Sequence, residues 1–309
     1  MAGLIVICGP TATGKTALAV HLGTVFKAPI LSADSRQVYR GFDVGTAKPT
    51  LEERAGIPHY LLDIADPRET YTVARFQQEA TALIDGFHQQ GITPILAGGT
   101  GLYIQSVTEG LVIPSAAPDP VLREHLAVKS LEELRTELLS KDPEAARSIH
   151  PNDRLRTSRA LEVWYTTGKP SSSQKGRNPP SYPILYIGLD TPNRAFLQQR
   201  IESRTQAMVQ KGLLEEIHGL EQQYGQDLSL LETLGYREFR QYLRQECGLE
   251  EAIQQTILHT RQFAKRQTTW FKANPHVLWL DIANHDFDQL TDKTEELVRD
   301  WLCKTDAEF

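Results

Sequence analysis

"LIVICGPTATGKTALAV", residues 4–20, decides how this chain reads. Leu4 to Cys8 are apolar and suit a buried strand. A G-x-x-x-x-G-K-T run, Gly9 to Thr16, follows at once, and "KTALAVHLGTVF" then reads as a helix. Strand, loop and helix in this order form a phosphate-binding unit. Gly9 and Gly14 let the backbone aim its N–H groups at an anion sitting on a helix N-terminus. Lys15 adds a point charge, and the Thr16 hydroxyl suits a phosphate-bound Mg2+. The pattern does not say whose phosphates the loop holds.

Strands and helices alternate from there. "APILSADS" reads as a second strand, and "YTVARFQQEATALIDGFHQQG" has Val73, Phe76, Ala80, Leu83, Ile84 and Phe87 at helical spacing. "ITPILAGGTG" is a third strand ending in glycines. Alternation of this kind predicts an α/β fold, a P-loop NTPase-like parallel sheet core with helices on both faces. Ligands on such sheets bind beyond the carboxyl ends of the strands, so Gly9, Asp34 and Gly98 are expected on one rim. Near Pro114 the pattern turns proline-rich and then helical. Residues 114–181 read as a helical insertion domain, with "KPSSSQKGRNPPSYP" as its flexible loop. Residues 1–113 and 182–309 form the core. Its second half carries the strand "YPILYIGLD", two long helices, "NRAFLQQRIESRTQAMVQKGLLEEIHGLEQQY" and "LEEAIQQTILHTRQFAKRQTTWFK", and a last strand "HVLWLDI".

The 309 residues are 40% hydrophobic, which suits one large or two modest domains. No apolar run has membrane-spanning length, and "MAGLIVICGP" reads as a first strand rather than a signal peptide. Cys8, Cys247 and Cys303 stand apart, so neither a disulfide framework nor a zinc site is expected, and a cytoplasmic setting fits. Net charge is −6, and nine acids against three bases from Asp281 onward account for all of it. The rest of the chain is neutral on balance, so charge does not exclude a nucleic-acid partner.

Four further stretches bear on chemistry. In "SADSRQVYRGFDVGTAKP", Asp34 ends a strand near the phosphate rim and suits proton removal from a nucleophile; a capped turn is the plain alternative. Arg36, Gln37, Tyr39 and Lys48 follow it. In "AGGTGLY", Gly98, Gly99 and Gly101 would let the backbone approach a ligand while Thr100 presents a hydroxyl. "HPNDRLRTSRALEV" lies in a basic stretch, seven cations against two acids between Arg147 and Pro180, which reads as an RNA-binding patch or as a solvated helix face. "LETLGYREF" and "RQFAKRQTTWF" combine aromatic and cationic groups suited to bases and phosphates, with Trp270 and Phe271 expected in the core. The apolar strand ending in Asp that an NTPase uses to orient water or Mg2+ is poorly represented. Asp63 of "YLLDI" and Asp281 of "LWLDI" are the candidates.

These blocks, with "PHYLLDIADP" and "DPEAARSIHPNDRLRTSRALEV", stand in the order found in the bacterial tRNA dimethylallyltransferases, and the chain resembles that family to about Asp281. The resemblance implies transfer of a dimethylallyl group from dimethylallyl diphosphate to the exocyclic N6 amine of the adenine 3′-adjacent to the anticodon, in tRNAs reading codons that start with U. Adenylate isopentenyltransferase and small-molecule P-loop kinase are the alternatives. Gly9, Pro10, Thr11, Ala12, Thr13, Gly14, Lys15 and Thr16 would hold the diphosphate, with Mg2+ on Thr16. Asp34 would be the base, and Thr100 and Arg204 would serve the leaving group, with Arg200 close enough to compete. Asp34, Ser35, Arg36, Gln37, Arg123, Leu155, Arg156, Thr157, Ser158, Arg159, Gly235, Tyr236 and Arg237 would meet the tRNA anticodon stem-loop. A monomer is expected.

Overall fold

The structure is a computed structural model and describes residues 2–117 and 119–307. The chain divides into two compact units, Met1–Thr108 with Ser181–Phe309, and Glu109–Pro180. The smaller unit thus begins five residues before the composition changes at Pro114.

In the larger unit the chain runs β1 (Leu4–Cys8), α1 (Lys15–Phe26), β2 (Ile30–Ser32), β3 (His59–Tyr60), α2 (Val73–His88), β4 (Ile95–Ala97) and α3 (Gly101–Thr108). The smaller unit follows with β5 (Leu111–Val112), α4 (Pro120–Ala127), α5 (Leu131–Lys141), α6 (Pro143–Ser148), α7 (Arg154–Thr167) and β6 (Gly176–Arg177). The larger unit resumes with β7 (Ile184–Asp190), α8 (Arg194–Gln210), α9 (Leu213–Tyr224), α10 (Tyr236–Leu243), α11 (Leu249–Lys272), β8 (Val277–Asp281) and α12 (Phe287–Ala307).

Six strands form one sheet in the order β3-β2-β4-β1-β7-β8, and every pairing is parallel. β1 lies inside it, flanked by β4 and β7, which is why all five of its residues are apolar. Alternation along β1 sends Leu4, Val6 and Cys8 into a core with α2, α9 and α10, and Ile5 and Ile7 into a second core with α1 and α12. Both faces are therefore covered. α12 carries most of the acidic tail, yet Leu290 and Val298 are buried against the second core, and Glu295 pairs with His21 of α1 at 2.8 Å. The acids sit on the outer side of an amphipathic helix. The long run after Asn193 is two helices, because Gly212 takes a left-handed φ of 94° between them.

The smaller unit packs α4 to α7 around Leu126, Leu134, Leu138 and Leu161, and β5 pairs antiparallel with β6. Its Ser-rich segment is ordered. Asp142 caps α6 through Ala145 N–H and accepts from the hydroxyls of Ser171 and Ser172 and from Ser172 N–H. No helix among the described residues is long and apolar enough to cross a membrane.

Candidate active site

The carboxyl ends of β1, β2 and β4 open onto a cavity of about 700 Å3 in the larger unit. Thr11, Lys15, Thr16, Asp34, Gly98, Thr100 and Arg204 line it; of the three strand-end residues expected on one rim, Asp34 and Gly98 line the cavity and Gly9 does not.

The phosphate loop is strained where its motif requires. Gly9 has φ 133°, Gly14 caps α1 with φ 92°, and Ala12 stands at φ 65°. A side chain at Gly9 would meet the Leu189 carbonyl oxygen at 2.2 Å. Lys15 folds back to donate to the Pro10 carbonyl at 2.6 Å. Desolvation pushes its ammonium down to about 8; nearby Arg204 adds to this, and Asp34 and Cys8 oppose it. A cation held in that state gains when an anion arrives. Thr13 departs from expectation: its buried hydroxyl donates to the Pro10 carbonyl at 2.9 Å, so it shapes the loop rather than meeting phosphate. Thr11 N–H is also taken, by Gln267 Oε1 at 2.9 Å. Burial pushes the Cys8 thiol up to about 12, with Lys15 opposing, so this cysteine is not a nucleophile.

Asp34 closes a turn through Oδ1, which accepts Arg36 N–H at 2.8 Å and Gln37 N–H at 3.4 Å. The turn-capping reading holds, and the same half-buried carboxylate lies on the cavity wall. Thr100 Oγ1 accepts Ser35 N–H at 3.0 Å and holds this turn against the end of β4. The Gln37 amide donates to the Thr46 and Ala47 carbonyls and tethers the next loop instead of pointing freely outward. Lys48 is buried and pinned to Tyr39, Asp43 and Asp63, which gives Asp63 a structural task in place of the water-orienting one.

Arg204 lines the cavity that holds Asp34, and one guanidinium N–H reaches the Thr46 carbonyl at 3.4 Å. Arg200 donates to the Ala12 carbonyl at 2.6 Å and, with Arg204, lines a neighbouring cavity against the phosphate loop. The glycines of "AGGTG" approach protein: a Cβ at Gly98 would meet the Ala33 carbonyl oxygen at 2.3 Å, at Gly99 Gln267 Nε2 at 2.4 Å, and at Gly101 the Trp270 ring at 2.3 Å. Trp270, expected in the core, is 40% exposed, whereas Phe271 is buried.

Several expected RNA contacts are spoken for. Tyr236 is only 1% exposed, packs on Phe42 with centroids 4.9 Å apart, and donates its hydroxyl to Glu216 at 2.6 Å, so it does not stack on bases. Glu216 in turn accepts the N–H groups of Asp43, Val44 and Gly45. Gly235, φ 89°, starts α10 with its N–H on Glu238. Arg237 and His259 also reach Glu238, each at 2.7 Å. Burial raises the Glu238 pKa, but these donors outweigh it and leave the carboxyl below its ordinary range. In the smaller unit Thr157 is 0% exposed, with its hydroxyl on the Asp153 carbonyl. Arg123 and Arg159 both pair with the buried carboxylate of Glu162, at 2.8 and 2.5 Å. Arg154 caps α4 through the Leu126, Ala127 and Lys129 carbonyls. Two of the seven cations of the basic stretch, Arg154 and Arg159, are thus bound internally, while Arg147, Arg156, Lys169, Lys175 and Arg177 are exposed. Leu155, 84% exposed, and Arg156 remain the outward residues of α7's first turn, and Ser158 is half-buried.

Comparison with known proteins agrees with this geometry. Residues 37–274 match the family model described as IPP transferase. A tRNA dimethylallyltransferase of Acaryochloris marina is 57% identical over 284 residues, 92% of this chain and 94% of that protein. One from a Cyanothece strain is 56% identical, covering 95% and 96%. Among solved structures, a tRNA isopentenylpyrophosphate transferase from Bacillus halodurans covers 99% of both chains at 37% identity and TM-score 0.75. A eukaryotic dimethylallyltransferase acting on tRNA covers 98% of this chain and 80% of its own, at 28% identity and TM-score 0.84. With its P-loop cavity, its parallel sheet and these relatives, the chain belongs to the IPP transferase family.

Proposed function

We propose that this chain transfers a dimethylallyl group from dimethylallyl diphosphate to the N6 amine of the adenine 3′-adjacent to the anticodon in tRNAs that read codons starting with U. The adenine N6 lone pair attacks C1 of the allyl group. The C1–O bond breaks, its electron pair leaves on diphosphate, and the N6 proton passes to Asp34. An exocyclic aryl amine is a poor nucleophile, so a base at the point of bond formation contributes roughly 10²–10⁴ in rate. Lys15 and Arg204 face the charge that grows on the leaving group.

The observation that carries this reading is the sharing of one cavity by the anion-binding loop and the Asp34 carboxylate. A base buried in an anticodon loop stack must swing out to reach Asp34. Exposed Leu155 and Arg156 on one unit, and Arg36 and Arg237 on the other, suit contacts to the RNA.

Mg2+ fits the donors present. Thr16 is exposed on the cavity wall, and no cluster of three or more His, Cys, Asp or Glu able to hold a metal occurs among the described residues. Such a donor set suits a cation that arrives on the diphosphate and keeps much of its water. It would neutralise diphosphate charge. One chain supplies every group named, which suits a monomer, and a tRNA substrate suits a cytoplasmic setting.

Unmodified tRNA, Mg2+ and dimethylallyl diphosphate labelled in its allyl carbons test the proposal, with ATP in a parallel reaction. Label on the adenine beside the anticodon is expected. ATP turnover with unlabelled tRNA would replace it with the kinase reading.

A further inference from the structure

Gln267 lies on α11, is 7% exposed, and joins two loops that are far apart in sequence. Its Oε1 accepts Thr11 N–H in the phosphate loop, and its Nε2 donates to the Gly99 carbonyl after β4, both at 2.9 Å. An amide is suited to this place because it offers one acceptor and a donor on the same planar group. The next residue after Gly99 is Thr100, whose hydroxyl accepts Ser35 N–H, and Ser35 follows Asp34. A continuous set of bonds therefore runs from the anion-binding loop through Gln267, Gly99 and Thr100 to the Asp34 turn. The close approach is built in: a Cβ at Gly99 would stand 2.4 Å from Gln267 Nε2.

We propose that Gln267 is a positioning residue that sets the distance between the bound diphosphate and the Asp34 carboxylate. It lines the same cavity, and in this role it acts through its two main-chain partners. Each of its two partners is a main-chain group, so it fixes backbone to backbone, and a shift at either end displaces a reacting partner. Reacting atoms must lie within a few tenths of an ångström of the productive arrangement, and a misplacement of about 1 Å costs on the order of 10²-fold in rate. The proposal rests on the prenyl-transfer reading.

The test uses the full-length enzyme and single-turnover label transfer at saturating tRNA and dimethylallyl diphosphate. Gln267→Met keeps the length and burial of the side chain and removes both hydrogen bonds. The transfer rate of the folded enzyme should fall by about tenfold or more, with tRNA affinity unchanged and the melting temperature lowered by a few degrees for the two hydrogen bonds lost. A purely structural role would lower the melting temperature as well but spare the rate of the folded fraction. Coupling to Thr100 supplies the second readout. Thr100→Val breaks the next link in the same chain, so the double variant should be no slower than the slower single variant. If Gln267→Met does not fold, Gln267→Glu retains the acceptor for Thr11, loses the donor to Gly99, and should show the same loss. Wild-type enzyme that transfers no label refutes the reaction and this proposal together. Normal wild-type transfer beside a folded Gln267 variant within twofold of it, or losses that multiply in the double variant, refutes this proposal alone.

Discussion

At Lys15 the chemistry of the site is set by desolvation. Its ammonium sits at about 8 without an anion. A bound diphosphate favours the charged form and raises that value, so binding takes up a proton once the pH exceeds about 8. After allowance for the protonation of diphosphate itself, its affinity should weaken several-fold between pH 7 and pH 9, measured by titration calorimetry. A flat profile would show that Lys15 is not the cation that meets the anion. Arg204 and Arg200 offer a second contrast. Arg204→Ala should lower kcat/KM by roughly 10²–10³, the scale of a lost preorganised donor. Arg200→Ala should stay within tenfold, because Arg200 bonds the Ala12 carbonyl and does not line the cavity that holds Asp34. At this scale the motif spacing made Lys15 legible, while the places of Asp34 and Thr100 on the cavity wall followed from strand ends and from family resemblance. Spacing did not reveal that Tyr236, Thr157 and Thr13 spend their polar groups inside the protein, because a residue type carries no mark of which way it faces. Gln267 was invisible for the same reason: its partners are backbone atoms 168 and 256 residues away.

Elements follow the sequence where one force dominates. The apolar run of β1, the helical spacing of α2 and the strand of β7 announced themselves. β3 has two residues and borrows its pairing from β2, and the acid count of α12 hid a helix whose inner face is apolar. Glycine at the end of β4 is there for contact between elements. In Gly98→Ala the new methyl would press on the Ala33 carbonyl, which is backbone and cannot swing aside. This variant should lose both transfer activity and several degrees of melting temperature, read by calorimetry and label transfer. In the smaller unit, Glu162 of α7 pairs with Arg123 of α4 and with Arg159 of its own helix. Glu162→Ala should destabilise that unit by about 1–3 kcal/mol, the scale of losing hydrogen bonds to a charged group, read by proteolysis of the Glu109–Pro180 segment.

For the whole molecule, acid lability follows from three buried carboxylates. Burial pushes Asp142, Glu162 and Glu238 upward, yet their hydrogen bonds hold all three below the ordinary range. Groups depressed in the folded state stabilise it above their unfolded pKa and lose that contribution as pH falls through the folded value. Stability should be level from pH 7 to about 5 and drop steeply below about 4, monitored by circular dichroism. The central claim concerns one atom pair, the adenine amine and Asp34, and rapid-quench transfer by Asp34→Asn tests it most directly. The variant should bind tRNA as wild type does and transfer the dimethylallyl group roughly 10²–10⁴ more slowly. Transfer at the wild-type rate would contradict the account, since some other group would then be taking the proton.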